Sequence, residues 1–272
     1  MNTVMQQKAI DSIKSGENVF ITGGGGVGKS WVINQVNDEG TVVAAPTGIA
    51  ALNINGVTCH SFFGLPFGLV ETKDSFIFPI KNRRLIQQGS VKRIIIDEIG
   101  MMRADYLDLI DKKLRNVAGN TNNPFGGIQM VVVGDFFQLE PIVTNDELEY
   151  FLETYDNPFA FSAECWNFDT IELTEVKRQS DVEQINLLNS VRKDDEQSEE
   201  SLERIQEIAK DYVNCPDTLH LCNFTKDSVK INKHWFDKIE GEVVSYTACI
   251  GDKWGSSSTY PVPKNVHVKI GA

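Results

Sequence analysis

Four consecutive glycines, a valine and a fifth glycine lead directly into a lysine and a serine. This run, 23–30, fits the pattern G-x-x-x-x-G-K-[ST], in which glycines let backbone N–H groups turn inward around phosphate oxygens. A helix that begins at Lys29 would add the positive end of its dipole. Lys29 would neutralise the β and γ phosphates of a nucleoside triphosphate, and Ser30 would offer its hydroxyl to Mg²⁺. The candidate nucleotide-binding residues are therefore Gly23, Gly24, Gly25, Gly26, Val27, Gly28, Lys29 and Ser30.

Two further polar groups follow apolar runs. Asp97 and Glu98 come directly after three isoleucines, and after a phosphate-binding loop such a pair can serve the same nucleotide. Asp97 would hold Mg²⁺ through water, and Glu98 would orient and deprotonate the attacking water. Gln138 lies a few residues after the run 130–133 and can hydrogen-bond the γ-phosphate; a solvent-facing loop glutamine is the alternative.

Short apolar runs alternate with amphipathic segments along the first two thirds of the chain. Strands are predicted at 19–21, 41–45, 93–96, 130–133 and 171–173, and helices near 4–13, from 29, near 48–52 and over 104–114. Continuous apolar strands between helices predict an α/β fold whose parallel sheet is covered on both faces. The candidate residues of the nucleotide site follow strand ends, where open α/β sheets bind ligands.

The regular alternation is interrupted near 66–88, where Val70 and the run 76–78 predict a small inserted hairpin. After Arg178 the chain becomes more polar, with helices predicted at 181–192, 202–212 and 226–239 and a strand at 219–221. We place a domain boundary in the acidic stretch 194–207, which predicts a domain over 1–195 and a second over 196–272.

Composition restricts the function classes. The chain has 272 residues and a formal net charge of −12, which argues against coating nucleic acid through bulk positive charge but permits a local basic groove. Its five cysteines form no C-x-x-C pair, which indicates free thiols in a reducing compartment. The sequence shows no signal peptide and no apolar run of about 20 residues. We therefore expect a soluble intracellular protein, in a cytoplasm or a nucleus, and no membrane partner.

A series of motifs in fixed order resembles the superfamily 1B DNA helicases of the Pif-one, RecD and Dda type. The matching segments are NVFITG at 18–23 with the glycine run, APTGIAA at 45–51, GVTCHSF at 56–62, IDEIGM at 96–101, PFGGIQ at 124–129, GDFFQL at 134–139 and LTEVKRQ at 173–179. The resemblance implies a RecA-like P-loop domain and an incomplete second RecA-like domain. It also implies ATP and Mg²⁺ as cofactors, single-stranded and fork DNA as partners, and 5′→3′ stepping.

The resemblance also implies roles for particular residues. Gln6 occupies the position of an adenine-reading glutamine, with Gln7 as the neighbouring option, and Arg178 that of an arginine that reaches the γ-phosphate. The implied contacts to single-stranded DNA are Pro46, Thr47, Thr58 and His60. A packed histidine is the alternative for His60. Phe76 or Phe78 is the candidate strand-separating wedge, and packing in the core is the alternative for both.

The chain departs from this family pattern in three places. Glycine stands at 100 where the family has serine, and glutamate at 140 where it has proline. The later family segments that supply DNA contacts and a second catalytic arginine are missing, so we expect a piece of a longer protein or one product of a split gene. It would act with a C-terminal partner chain or with other replication or repair proteins.

Two alternatives stay open: an ATP- and DNA-binding fragment that needs a partner to hydrolyse ATP, and a P-loop ATPase unrelated to DNA, such as a small-molecule kinase. The pathway, whether replication, repair or recombination, is also open.

Overall fold

A computed structural model describes residues 2–178, 180–210, 218–249 and 263–271. The chain divides into two compact units, Met1–Gln206 and Glu207–Ala272. The predicted boundary between residues 195 and 196 lies just before the helix Ser198–Lys210, whereas the two units divide within that helix.

Unit 1 is built on six parallel strands in the order β3-β2-β4-β5-β1-β6. They are β1 Val19–Thr22, β2 Thr41–Ala45, β3 Val57–Thr58, β4 Arg93–Ile96, β5 Gln129–Val133 and β6 Asp169–Glu172. The predicted parallel sheet is confirmed, and all five predicted strands are present to within two residues. The two-residue strand β3 was missed, because so short a run has no recognisable period.

Successive residues of each strand point to opposite faces of the sheet, and each face has its own apolar core. On β4, Ile94 and Ile96 belong to one core and Ile95 to the other. The core around Ile95 is covered by α1 Val4–Lys14, α2 Lys29–Val36 and α3 Gly48–Asn53. The opposite core is covered by α4 Cys59–Phe63, α5 Ile80–Gln87, α6 Ala104–Ala118 and α7 Asn145–Thr154. Helices therefore lie on both faces, as predicted.

The hairpin predicted near 66–88 is wrong. That segment contains a 3-10 helix, Thr72–Phe76, followed by α5. The carboxylate of Asp74 accepts a hydrogen bond from the backbone N–H of Glu71 at 2.8 Å and so holds a helical turn where a hairpin would need an extended strand. Phe78 is buried against Phe62 and Phe63, whereas Phe76 is 67% exposed. Of the two wedge candidates, Phe78 is thus a core residue.

The remaining elements are α8 Val182–Lys193 and α9 Ser198–Lys210, then α10 Thr225–Lys238 and an antiparallel pair, β7 Val244–Thr247 with β8 Asn265–Val268. The three predicted helices are present, although positions 211 and 212 of the second lie outside the described residues. The strand predicted at 219–221 does not form, because Leu219 and Leu221 stay 86% and 92% exposed and pair with no strand of the described chain. None of the described helices is both long and apolar enough to span a membrane.

Candidate functional site

The glycine run forms a loop between the end of β1 and the start of α2, and close packing leaves no room for a side chain at three of its glycines, Gly23, Gly26 and Gly28. A Cβ on Gly28 would lie 2.4 Å from Nε2 of Gln6, and a Cβ on Gly26 would lie 2.6 Å from Cβ of Arg178. Both residues have positive φ, +91° and +78°. The glycines therefore let α1 and the segment after β6 approach the loop directly.

Lys29 is the first residue of α2, and its ammonium group folds back over the loop. Nζ donates to the carbonyl oxygens of Gly23 at 2.7 Å and Gly24 at 3.0 Å. Burial lowers the pKa of Lys29, although the nearby carboxylates of Asp135, Glu98 and Asp97 partly offset this. The ammonium group that would bind a triphosphate therefore already lies inside the loop.

Gln6 is buried beside this loop, as its candidate role requires. Its Nε2 donates to the carbonyl of Val27 at 3.0 Å, and its Oε1 accepts from the backbone N–H of Thr3 at 3.1 Å. A side-chain amide carries two donors and two lone pairs, so one of each remains for a base edge. Gln7 instead bonds Asp11 and Asn2 on the exposed side of α1, which favours Gln6 as the nucleotide-side residue.

Asp97 and Glu98 follow β4 and face the loop. Burial, together with the adjacent charge of Glu98, raises the pKa of Asp97 to about 6. One carboxylate oxygen of Asp97 accepts from the backbone N–H of Glu98 at 3.0 Å. Glu98 has φ 54° and ψ 43°, a left-handed conformation that is uncommon and strained for a residue with a side chain.

Gln138 follows β5 and is held by Asp135, which is 2% exposed. Its Nε2 donates to Oδ2 of Asp135 at 3.0 Å, and the backbone N–H of Phe137 donates to Oδ1 at 3.1 Å. Arg192, from α8, donates to the same two oxygens at 2.6 and 2.8 Å. Burial alone would raise the pKa of Asp135, but these hydrogen bonds and the charge of Arg192 hold it below its usual value.

One cavity of about 490 Å³ brings these elements together. It is lined by Gly25, Gly26, Val27, Gly28, Lys29, Ser30, Trp31, Asp97, Glu98, Gln138, Lys177 and Arg178. Every residue for which the sequence predicts phosphate, metal or catalytic chemistry therefore lies at this cleft or in the loop that forms its floor. Ser30 and Asp97 present a hydroxyl and a carboxylate, the oxygen ligands that suit Mg²⁺.

The candidate DNA contacts lie together at the β3 edge of the sheet. Ala45 pairs with Thr58 across β2 and β3, so Pro46 and Thr47 leave the sheet beside Thr58. The hydroxyls of Thr47 and Thr58 accept from the backbone N–H of the third residue of α3 and α4, respectively. Each of these hydroxyls still has its own proton to donate.

His60 is half-buried rather than fully packed. Its ring stacks on Phe67 at 5.0 Å between centroids and meets Tyr106 edge-on at 5.4 Å. Phe67 itself is 91% exposed. Burial, with the nearby charge of Arg103, lowers the pKa of His60, so the ring is neutral at physiological pH.

Sequence reasoning missed Asp135 and Arg192. Asp135 stands at a strand end in the segment GDFFQL and could have been found by the same argument as Asp97. Arg192 lies in the last turn of α8 with no local motif, 57 positions from its partner. Only the folded chain shows that pairing.

The glycine loop, the strand-end acids and the strand-end glutamine on a parallel sheet define a class, the P-loop nucleotide-binding proteins of RecA-like fold. A model of the PIF1-like helicase family matches residues 2–213. The chain therefore belongs to the PIF1-like helicase family.

Relatives and solved structures agree with this placement. The chain is 31% identical to the ATP-dependent DNA helicase PIF1 of Mus musculus, over 98% of this chain and 41% of that protein. A solved structure of two coordinating Pif1 helicases describes DNA unwinding at forked double-stranded DNA. Its helicase chain is 36% identical to this chain, and the TM-score is 0.83 over 99% of this chain and 65% of the other. The Pif1 helicase from Bacteroides with ADP-AlF3 and single-stranded DNA is 33% identical, with a TM-score of 0.81 over 99% and 64%. The chain thus spans about two fifths of the mouse relative.

Proposed function

We propose that the chain is the N-terminal motor portion of an ATP-dependent DNA helicase whose ATP hydrolysis is stimulated by single-stranded DNA. The observation that carries this proposal is the cleft in which the P-loop, Asp97, Glu98, Gln138 and Arg178 meet. Membership of the PIF1-like helicase family supports DNA as the nucleic acid that is bound, since the mouse relative is named an ATP-dependent DNA helicase. Residues 1–195 form the first RecA-like domain in this proposal, and residues 196–272 begin the second.

The candidate residues at the cleft and beside its loop have distinct roles in the proposed hydrolysis. Lys29 exchanges its two carbonyl partners for the β and γ phosphates, and Gln6 reads the adenine edge from the other side of the loop. Ser30 and Asp97 hold Mg²⁺, which supplies neutralising charge to the phosphates when bound.

Glu98 accepts a proton from the attacking water. Gln138 hydrogen-bonds the γ-phosphate, and Arg178 stabilises the negative charge that develops on it.

The DNA side of the proposal uses the β3 edge of the sheet. Thr47 and Thr58 donate hydroxyl protons to backbone phosphates, and Pro46 shapes the strand end between them. His60, neutral and stacked on the exposed ring of Phe67, offers a flat surface to a nucleobase. Such contacts do not depend on bulk positive charge, which is consistent with a net charge of −12.

Movement along DNA requires a second domain that closes on the nucleotide. Stepping in the 5′→3′ direction, fork DNA as the substrate and a partner chain or other replication or repair proteins are therefore proposals for the whole protein. A DNA substrate also implies residence in a bacterial or phage-infected cytoplasm or in a nucleus.

A second candidate is an ATP- and DNA-binding portion that hydrolyses ATP only with the rest of the helicase. The observation that favours it is the length, because the chain spans 41% of the mouse relative and 64–65% of the solved helicases. This candidate binds Mg·ATP and single-stranded DNA without appreciable turnover.

Steady-state ATP hydrolysis, with and without an oligo-dT strand, separates the two candidates. Lys29→Ala is the blank, because it removes the charge of the P-loop, and Lys193→Ala is the matched control on an exposed side chain. We expect the wild-type chain and Lys193→Ala to hydrolyse ATP faster with oligo-dT, and Lys29→Ala to be inactive. Turnover retained by Lys29→Ala would refute the assignment of the site. Mg·ATP binding without turnover would establish the second candidate, and turnover indifferent to DNA would indicate a P-loop ATPase unrelated to DNA.

A further inference from the structure

Arg192 is the feature of the nucleotide site that its proposed chemistry does not use. It projects from the last turn of α8, and its side chain is 14% exposed while that of its partner Asp135 is 1% exposed. Nη2 lies 2.6 Å from one carboxylate oxygen and Nε lies 2.8 Å from the other. This is a two-point contact, in which the planar guanidinium fixes the rotation of the carboxylate as well as its position.

The carboxylate of Asp135 is also the partner of the proposed γ-phosphate sensor. Oδ2 accepts from Nε2 of Gln138 at 3.0 Å, and Oδ1 accepts from the backbone N–H of Phe137 at 3.1 Å. The guanidinium carbon of Arg192 also lies 4.8 Å from the centre of the Phe137 ring. Arg192 therefore contacts the loop at two positions that precede Gln138.

Arg192 also lies beside the P-loop. A Cβ on Gly24 would be 3.8 Å from its guanidinium carbon, and the carbonyl of Gly24 accepts from Lys29. The charge of Arg192 contributes to the lowered pKa of Lys29, whereas that of Asp135 opposes it. Arg192 is not among the residues that line the cleft, and both of its hydrogen bonds to this loop go to Asp135, so we expect it to act on the nucleotide through other residues.

We propose that Arg192 is a positioning residue for Gln138. It orients the carboxylate of Asp135, and that carboxylate places the amide of Gln138 for a hydrogen bond to a γ-phosphate. The inference rests on the proposed function, because it needs a triphosphate in the cleft. It assigns an arginine rather than a lysine to this position, since the single nitrogen of an ammonium group cannot donate two parallel hydrogen bonds to the two carboxylate oxygens.

The test measures preference for a triphosphate and does not require turnover. Dissociation constants for Mg·ADP and for the magnesium complex of a non-hydrolysable ATP analogue are compared in wild type, Arg192→Lys, Gln138→Ala and the double variant. Arg204→Lys is the matched control, because it makes the same change on an exposed arginine of α9 that pairs with Glu183 at 3.7 Å. Thermal unfolding establishes that each variant is folded.

Arg192→Lys keeps the charge but loses the two-point contact, so we expect it to weaken analogue binding relative to ADP by about tenfold, the effect of one hydrogen bond to a charged group. Gln138→Ala should do the same, and the double variant should be no worse than Gln138→Ala alone, because both changes remove the same contact. Arg204→Lys should match wild type.

Three results would overturn the inference. If Arg192→Lys preferred the ATP analogue over ADP as strongly as wild type does, the two-point contact of the guanidinium would not be needed. Additive losses in the double variant would show that Arg192 acts independently of Gln138. Wild-type preference in Gln138→Ala would remove the sensor through which Arg192 acts. Failure of the wild-type chain to bind either nucleotide would instead refute the proposed function, and the inference with it.

Discussion

Replacing Gly100 with alanine should separate the two loops that carry the acidic residues of the cleft. Gly100 lies in the 3-10 turn Ile99–Met101, immediately after Glu98, and a Cβ there would be 2.6 Å from the backbone carbonyl oxygen of Asp135. Ordinary contacts of a Cβ begin near 3.4 Å, so one loop must move by roughly 1 Å.

The losses of stability and of turnover depend on the backbone of the loop that must move. The obstacle is backbone and cannot rotate away, so the change is an overpacking of a buried site, which costs about 1–3 kcal/mol. For a unit of this size, that lowers the unfolding midpoint by roughly 2–12 °C. A displacement of about 1 Å between Glu98 and Gln138 should lower turnover by on the order of 100-fold.

Thermal unfolding and DNA-stimulated ATP hydrolysis measure the two effects separately. Gly48→Ala is the matched control, because Gly48 lies in α3 without a positive φ and a Cβ added there would meet no atom within 4 Å. The control should lose no stability. An unfolding midpoint and a turnover rate for Gly100→Ala equal to those of wild type would refute the argument that the two loops require this close approach.

Two further predictions concern buried charges. Affinity for Mg·ATP, measured from pH 5 to 8, should fall as the pH drops below about 6, because Asp97 then takes up a proton and no longer offers a charged oxygen to the metal. In Asp97→Asn the same measurements should show only the titration of the nucleotide itself. Arg103→Met should lower the free energy of unfolding by about 3–5 kcal/mol in urea titrations, because it leaves the buried carboxylates of Asp105 and Glu147, 2.8 and 2.9 Å from the guanidinium, without their cation. Neutralising both acids in the same variant should recover part of that loss, and no recovery would argue against the charge explanation.

The parts of the fold that follow from local sequence could be predicted. Each main strand is a continuous apolar run because both of its faces are buried, and the phosphate-binding loop is recognisable because its glycines are required by close backbone approach. The strand ends then place Asp97 and Gln138 at one edge of the sheet. These features depend on residues that are near one another in the chain.

The parts that depend on distant partners could not be predicted. Spacing of apolar residues suggested a hairpin near 66–88, but the segment is held in helical turns, and Lys113 of α6 donates to the carbonyls of Gly64 and Ile77. The pairing of Arg192 with Asp135 likewise joins residues far apart in the chain. No local pattern marks such long-range polar contacts.

The left-handed backbone of Glu98 lowers the stability of the fold, whereas the side chain at this position is the proposed catalytic base. A glycine at this position would relieve backbone strain of about 1–2 kcal/mol, yet it would remove the proposed base. Selection for heat resistance alone would therefore favour loss of this side chain, and a thermostable variant of this chain obtained without a functional screen would risk losing the proposed base. The strained residue of this loop is thus also the one proposed as the catalytic base.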